Sequence, residues 1–311
     1  MMRTMLGTAC LALALAVLSV SAAYAQRPPD LPARRVEPIT APPSGVPVAP
    51  KATVTPKATV SPRALICGNA QFKGVYGAIA KGEFNLAALG PLNGPTTRIG
   101  RVQVDGLGNS EISAITSLNG IVLKESYEGH YTISADCIAD VVLLIPFPGV
   151  GFIPFQFAGV VSDKFNQMDI QLVNPQGSTV GLTLRRQADE TNCSTRDLDG
   201  GYAIDLRGYT NLLTPPATPF FRLGRVVFDG NGGFTAQTNT STAGAIAADN
   251  FSGSYEVDRS CFFTMKFGKE EWTGLIRDNS TNAVVIVSGP VLTTIDPIPL
   301  GVVISGTLTK Q

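Results

Sequence analysis

Apolar and polar residues alternate with period two in runs such as Arg101-Val102-Gln103-Val104 and Tyr131-Thr132-Ile133-Ser134. Alternation of this kind, rich in β-branched residues, marks strands with one buried and one wet face. Gly, Asn, Asp or Pro interrupts the runs every 8 to 12 residues, the spacing of a meandering antiparallel sheet. Asp105-Gly106-Leu107-Gly108 and Asp229-Gly230-Asn231-Gly232 each stand between two such runs, where glycine supplies the positive φ of a tight hairpin. Long helical periodicity is confined to the start, where Arg3 precedes an apolar stretch from Leu11 to Val20 and the small-residue site Ala23-Tyr24-Ala25. This predicts an export signal over 1–25, cut after Ala25, because the stretch is shorter than the ~20 residues of a membrane span. Residues 26–66 hold ten prolines and the near-duplicate PKATVTPKATVSP, which predicts a Pro-rich disordered linker that builds no core.

The remainder repeats itself. Cys67, Gly74 and Tyr76 recur 126 residues later as Cys193, Gly200 and Tyr202. After a two-residue deletion the shift becomes 124, and RIGRVQVDGLGN from Arg98 matches RLGRVVFDGNGG from Arg222. Gly120, Gly129, Tyr131 and Cys137 then fall on Gly244, Gly253, Tyr255 and Cys261. Each unit, 67–190 and 191–311, has the size of a complete domain rather than of a solenoid repeat. Closing about eight antiparallel strands into a barrel removes both sheet edges, so two tandem all-β, calycin-like barrels are expected, with a two-sheet sandwich as the alternative. The pattern Gly74-x-Tyr76, Gly224-Arg225-Val226-x-Phe228-Asp229-Gly230-x-Gly232, Gly253-x-Tyr255-x-Val257 and Cys261 resembles bacterial secreted proteins with lipocalin-like or allene-oxide-cyclase-like barrels. The matching positions are turn and packing residues, so the resemblance implies a fold and carries over no catalytic or ligand residue.

Equivalent cysteines in two homologous units pair most simply within each unit, Cys67 with Cys137 and Cys193 with Cys261. No C-x-x-C occurs to suggest a redox pair. The copies differ at their hairpins. The first runs through VVLLIPFPGVGFIPFQFAGVV from Val141 to Val161, where Pro146, Pro148 and Pro154 forbid a membrane helix. The second instead has an apolar, proline-rich tip at Ile295 to Leu300. These extensions are expected either to cap a barrel mouth and pack the barrels together, or to expose an apolar contact patch of Phe147, Phe152, Phe155, Phe157, Ile298 and Leu300.

Composition narrows the chemistry. With 24 basic and 24 acidic residues the 311-residue chain lacks the cationic surplus of a nucleic-acid binder. The linker carries +4, and residues 67–311 balance at −5. His130 is the one histidine, so two-His zinc chemistry is excluded. There is no G-x-S-x-G elbow, and strand alternation turns His130 away from the side of Tyr131. Each D-G-x-G loop offers a single carboxylate, too few for calcium. Arg101 and Arg225 with Asp105 and Asp229 suggest strand-to-turn ion pairs or a solvated face, Asp163 and Asp278 suggest turns, and the four repeated tyrosines suggest plugs at the barrel ends or covers for bare backbone. Trp272 is expected at an edge or interface. No cofactor is implied. The expectation is a secreted or periplasmic, non-enzymatic binding module for a small apolar ligand, with no transmembrane span once the signal is removed. The alternatives are an envelope structural or adhesion protein working through its hairpin tips, and a barrel isomerase or cyclase.

Overall fold

The computed structural model describes residues 67–147, 149–187, 192–213, 216–289, 298–299 and 301–311. The expected signal, its cleavage site at Ala25 and the Pro-rich segment 26–66 lie outside them. The chain divides into Met1–Val60, wholly outside the described residues, and Ser61–Gln311, which holds everything below.

The protein is all-β, two closed eight-stranded antiparallel barrels in tandem. The first is β1 (Lys73–Phe84), β2 (Gly94–Asp105), β3 (Asn109–Leu118), β4 (Ile121–Ile133), β5 (Ile138–Phe147), β6 (Gly151–Ser162), β7 (Gln167–Asn174) and β8 (Thr179–Arg186), with β1 pairing with β8 to close it. The second is β9 (Asp199–Thr210), β10 (Thr218–Asp229), β11 (Gly233–Thr242), β12 (Ala245–Val257), β13 (Phe262–Phe267), β14 (Glu270–Arg277), β15 (Asn282–Val287) and β17 (Val303–Lys310), the last pairing with β9. The two-residue β16 (Ile298–Pro299) leaves the second barrel and pairs with Val122 and Ile121 of β4.

Period two separates the inward from the outward residues of β4. Along β4, Glu125, Tyr127, Tyr131 and Ile133 are buried while Lys124, Ser126, Glu128 and His130 are exposed. The hairpin between β2 and β3 turns through Gly106 at φ 79° and Gly108 at φ 114°, angles that L-residues rarely adopt. The two disulfides form within the repeats, Cys67 with Cys137 and Cys193 with Cys261, spanning 70 and 68 residues. On the chain-entropy model each restricts the unfolded chain by about 4 kcal/mol. The same turn holds both second cysteines: the Cys137 N–H donates to Ser134 O and the Cys261 N–H to Asp258 O, each at 3.0 Å.

The barrels pack against each other through outward-facing residues. Ile99, Ile115 and Val122 share an apolar cluster with Leu275 and Val284, so β14 and β15 are buried on both faces, and β15 reads as an unbroken apolar run from Ala283 to Val287. At one end of the contact the Gly301 N–H donates to Gly120 O at 3.0 Å, and a Cβ on Gly120 would lie 2.7 Å from Gly301 Cα. Only glycine permits that approach.

Candidate functional site in the first barrel

The barrels share a frame and differ in filling. Inside the first lies a cavity of about 50 Å³ whose walls include Val104, Ser110, Leu143 and Tyr127. Val104, Ser110 and Leu143 occupy the positions that Phe228, Phe234 and Phe267 hold in the second barrel, 124 residues on. There the rings pack in series: Phe228 and Phe234 at 5.9 Å between centroids, Phe234 and Phe267 at 5.9 Å, Phe267 and Trp272 at 4.7 Å. The first barrel recovers part of the lost volume with Ile112 for Ala236 and Phe72 for Leu198. The cavity is what remains. In the second barrel these rings and Trp272 pack as one interior cluster, so the indole, 1% exposed, is an interior residue and not the edge or interface residue expected from the charges preceding it.

Beside the cavity an arginine from β2 faces inward, against the usual exclusion of charge from a barrel core. Arg98 Nε donates to Thr116 Oγ1 at 2.6 Å, the Thr116 hydroxyl donates to Glu125 Oε2 at 2.6 Å, and Arg98 Nη2 lies 2.9 Å from the same carboxylate oxygen. Side-chain exposure is 11% for Arg98 and 3% for Glu125. Burial opposes the guanidinium's charge, yet Glu125 holds its pKa above the ordinary arginine value. The Arg98 guanidinium also lies over the Tyr127 ring at 5.5 Å, and burial pushes the Tyr127 hydroxyl up to about 12. Glu125 Oε1 is buried without a hydrogen-bond partner among the described residues.

The second barrel repeats this constellation in a looser form. Arg222 Nε donates to Thr240 Oγ1 at 2.8 Å, and the Thr240 hydroxyl donates to Asp249 Oδ2. Arg222 lies 3.8 Å from Asp249 and 3.4 Å from a second carboxylate, Glu270. Phe220, Phe251 and Trp272 surround the guanidinium at 5.4 to 5.5 Å. Sequence reasoning passed over both sets. It singled out Arg101 and Arg225, which alternation places on the opposite, outward side. The available signal was a charged residue in phase with core positions, recurring at the 124-residue shift with its threonine and carboxylate.

The apolar hairpin of the first repeat, β5 and β6, turns mostly inward. Phe147, Phe155 and Phe157 are buried, and only Phe152 is exposed, at 70%. Phe84, Phe147 and Phe155 form a three-ring plug with centroid separations of 5.5 to 6.1 Å, and Phe84 is also a wall of the cavity. An exposed patch led by four phenylalanines is therefore corrected to a cap with Phe152 and Val150 outside, because the other three rings share the core-facing phase. Of the second tip, Ile298 lies in β16 against β4 and Leu300 lies outside the described residues.

The remaining candidates serve the frame. Asp105 Oδ1 accepts from the N–H groups of Leu107, Gly108 and Asn109 at 2.7 to 3.0 Å. The Asn109 backbone and side-chain donors, opposed weakly by burial and helped by Leu107 and Gly108, hold that carboxyl down at about 2. Asp229 is lowered for the same reason by Asn231 and Gly233. Both carboxylates thus cap their own turns. Asp163 and Asp278 each begin a short 3-10 turn at φ 49° and 50°. The tyrosine hydroxyls donate to backbone carbonyls, Tyr76 to Phe165, Tyr131 to Phe72, Tyr202 to Ser280 and Tyr255 to Thr195, at 2.8 to 2.9 Å. His130 is exposed, with Nδ1 3.1 Å from Asn109 Oδ1. Among the described residues no group of three or more His, Cys, Asp or Glu is placed to hold a metal ion, and no helix is long and apolar enough to cross a membrane.

Comparisons with known proteins give little beyond this. No family model matches the chain, and no curated protein matches it. Among solved structures it is similar to the isotype 1 transferrin binding protein B of serogroup B Neisseria meningitidis, at 8% identity and TM-score 0.26, covering 76% of this chain and 75% of that one. It is also similar to a protein of unknown function from the DUF3598 family of Nostoc punctiforme, at 13% identity and TM-score 0.19, covering 76% and 94%. Both scores are too low to identify a shared role.

Proposed function

We propose that the protein is an exported binding module in which the first barrel is the receptor for a compact, mainly apolar ligand and the second is a filled buttress. The observation that carries this reading is the loss of three core phenylalanines from one copy only, which leaves a cavity beside a charged, incompletely satisfied pair. At about 50 Å³ the space is well below the roughly 300–1,000 Å³ of ordinary ligand pockets. It suits a guest of a few non-hydrogen atoms with one hydrogen-bonding group directed to Arg98 or Tyr127. A larger guest requires the Phe84, Phe147 and Phe155 plug to turn aside. The guanidinium, hydroxyl and carboxylate beside the cavity are engaged with one another, an arrangement that favours holding a ligand over transferring its protons. The two disulfides support an oxidising compartment, secreted or periplasmic.

The test is capture. Native mass spectrometry of the exported chain should reveal a retained small molecule. Xenon, phenol and 1-butanol should each perturb the methyl resonances of Val104 and Leu143, and Val104→Phe, which places there the residue of the second barrel, should abolish the effect at the Leu143 methyls. An empty chain whose cavity methyls respond to none of these probes would refute the receptor reading. The scaffold alternative keeps one observation, the exposed hairpin tip at Val150 and Phe152.

A further inference from the structure

The two repeats treat one strand edge differently. In the first barrel β4 pairs with β5 only over Gly129–Ile133, and its other end, Ile121–Val122, is covered by β16. In the second barrel β12 likewise pairs with β13 only over Ser254–Val257. Its first half, Ala245–Gly253, pairs with β11 on one side, and among the described residues no strand lies on the other. Ile246, the counterpart of Val122, is 78% exposed, with Ala245, Ala247 and Ala248 exposed beside it.

Strand geometry identifies the free groups. The Tyr255 N–H donates to Gly232 O at 2.7 Å, toward β11. Because N–H and C=O of successive residues alternate in direction, those of Ile246, Ala248, Asn250 and Ser252 point away from β11. The edge from Ala245 to Ala248 carries neither proline, lysine nor any other charge, the usual guards against strand pairing, whereas its counterpart is covered by an Ile-Pro segment.

We infer that this edge is a dimerisation site, where β12 of a second copy of the chain adds antiparallel across a two-fold axis. An axis at Ala248 sets Ala248 opposite Ala248, Ile246 opposite Asn250 and Ala247 opposite Asp249. The edge is then self-complementary, as an isologous contact requires. No charge meets a like charge, and the Asp249 carboxylate is already held on the barrel side by Thr240 and Arg222. The alanine side chains leave the ribbons free to approach. A contact of this length is small by the standard of permanent dimers, so the association is weak and concentration-dependent.

Sedimentation of the full chain over a wide concentration range tests it. The expected result is a monomer that shifts to dimer as concentration rises. Ala248→Pro removes an edge-facing donor, a change edge strands tolerate, and Ile246→Lys adds a guarding charge. Each should weaken association at least tenfold while circular dichroism and melting stay unchanged, and Ile246→Lys decides if the proline variant misfolds. A chain that stays monomeric at the highest concentration, leaving the edge to another occupant or to none, overturns the inference. So does a dimer that survives a folded variant unchanged.

Discussion

Removing the charge of Glu125 should cost far more than removing that of its counterpart Asp249, and the repeat provides the control. The Arg98–Glu125 pair is 2.9 Å apart with both side chains nearly enclosed. At an effective dielectric constant of about 20 that separation corresponds to an attraction of about 6 kcal/mol, against which desolvation of both ions counts. Glu125→Gln keeps an acceptor for Thr116 but leaves the guanidinium buried without its counter-charge, a change that costs about 3–5 kcal/mol. Asp249 is 35% exposed and 3.8 Å from Arg222. Glu270 remains 3.4 Å from the guanidinium, so Asp249→Asn should cost about 1 kcal/mol or less. Urea unfolding separates the two. Far-ultraviolet dichroism follows both barrels, while the fluorescence of Trp272, the sole tryptophan, follows the second. With a slope of about 2–3 kcal/mol/M, Glu125→Gln should lower the midpoint of the first barrel by about 1–2 M. Arg98→Met with Glu125→Leu should recover most of the loss, because an apolar pair leaves no stranded ion. Equal losses at the two sites, or a double variant no better than the single, would show that the pair is not electrostatically enclosed.

Three further outcomes are expected. Phe155→Ser should destabilise the first barrel by about 3–5 kcal/mol, as loss of a buried ring does, whereas Phe152→Ser should leave urea stability within about 0.5 kcal/mol; comparable losses would place both rings in the core. The Asp105 carboxyl, held at about 2 against an ordinary 3.8, binds its proton more weakly folded than unfolded. Its contribution is therefore complete above about pH 4 and disappears as pH falls through about 2, and a carbon NMR titration midpoint near 3.8 would contradict the turn's hydrogen bonds. Arg277 is buried with Nε and Nη1 unpartnered among the described residues. Burial, partly offset by Asp278 and reinforced by Arg185, pulls it to about 10, so its charge opposes folding at neutral pH and the penalty fades as pH rises from about 10 toward the ordinary arginine value. Arg277→Met should accordingly raise urea stability by about 1–3 kcal/mol, and a loss instead would mean that ordered water or an ion satisfies the guanidinium.

Much of this was legible in the residues, and the failures have identifiable causes. Period two along β4 and the shift of 124 residues give strands, barrels and within-repeat disulfides because each depends on local chemistry or on copying. β15 breaks the alternation because a second barrel covers its outer face, a tertiary fact that no window of sequence contains. The hairpin phenylalanines were readable but misread: Phe147, Phe155 and Phe157 occupy odd positions on the core-facing side and Phe152 an even one, so phase alone separated three buried rings from the exposed one. Arg98 was missed because an isolated charge on a strand is ordinarily a wet residue. Only its recurrence with Thr116 and Glu125 at the spacing of Arg222, Thr240 and Asp249 marks it as interior. The cavity was not legible at all, since it is a difference between sums of side-chain volumes.

That difference also sets how hard selection must work to keep the first barrel hollow. Empty core volume costs about 24 cal/mol per Å³, so a cavity of about 50 Å³ lowers stability by only about 1 kcal/mol. A cost of that size is readily erased by one enlarging substitution, and the second copy shows that the frame accepts phenylalanine at the equivalent position. Val104→Phe adds four carbon atoms directly into the space, fewer than would overpack it if the ring takes the orientation of Phe228. It should raise urea stability by about 1 kcal/mol while ending small-molecule capture, the trade expected where a site is held open at the expense of packing. A Val104→Phe chain that is more stable and still responds to xenon, phenol or 1-butanol at the Leu143 methyls would show that the guest lies elsewhere, and the hollow would then be a packing defect that drift has tolerated rather than a receptor.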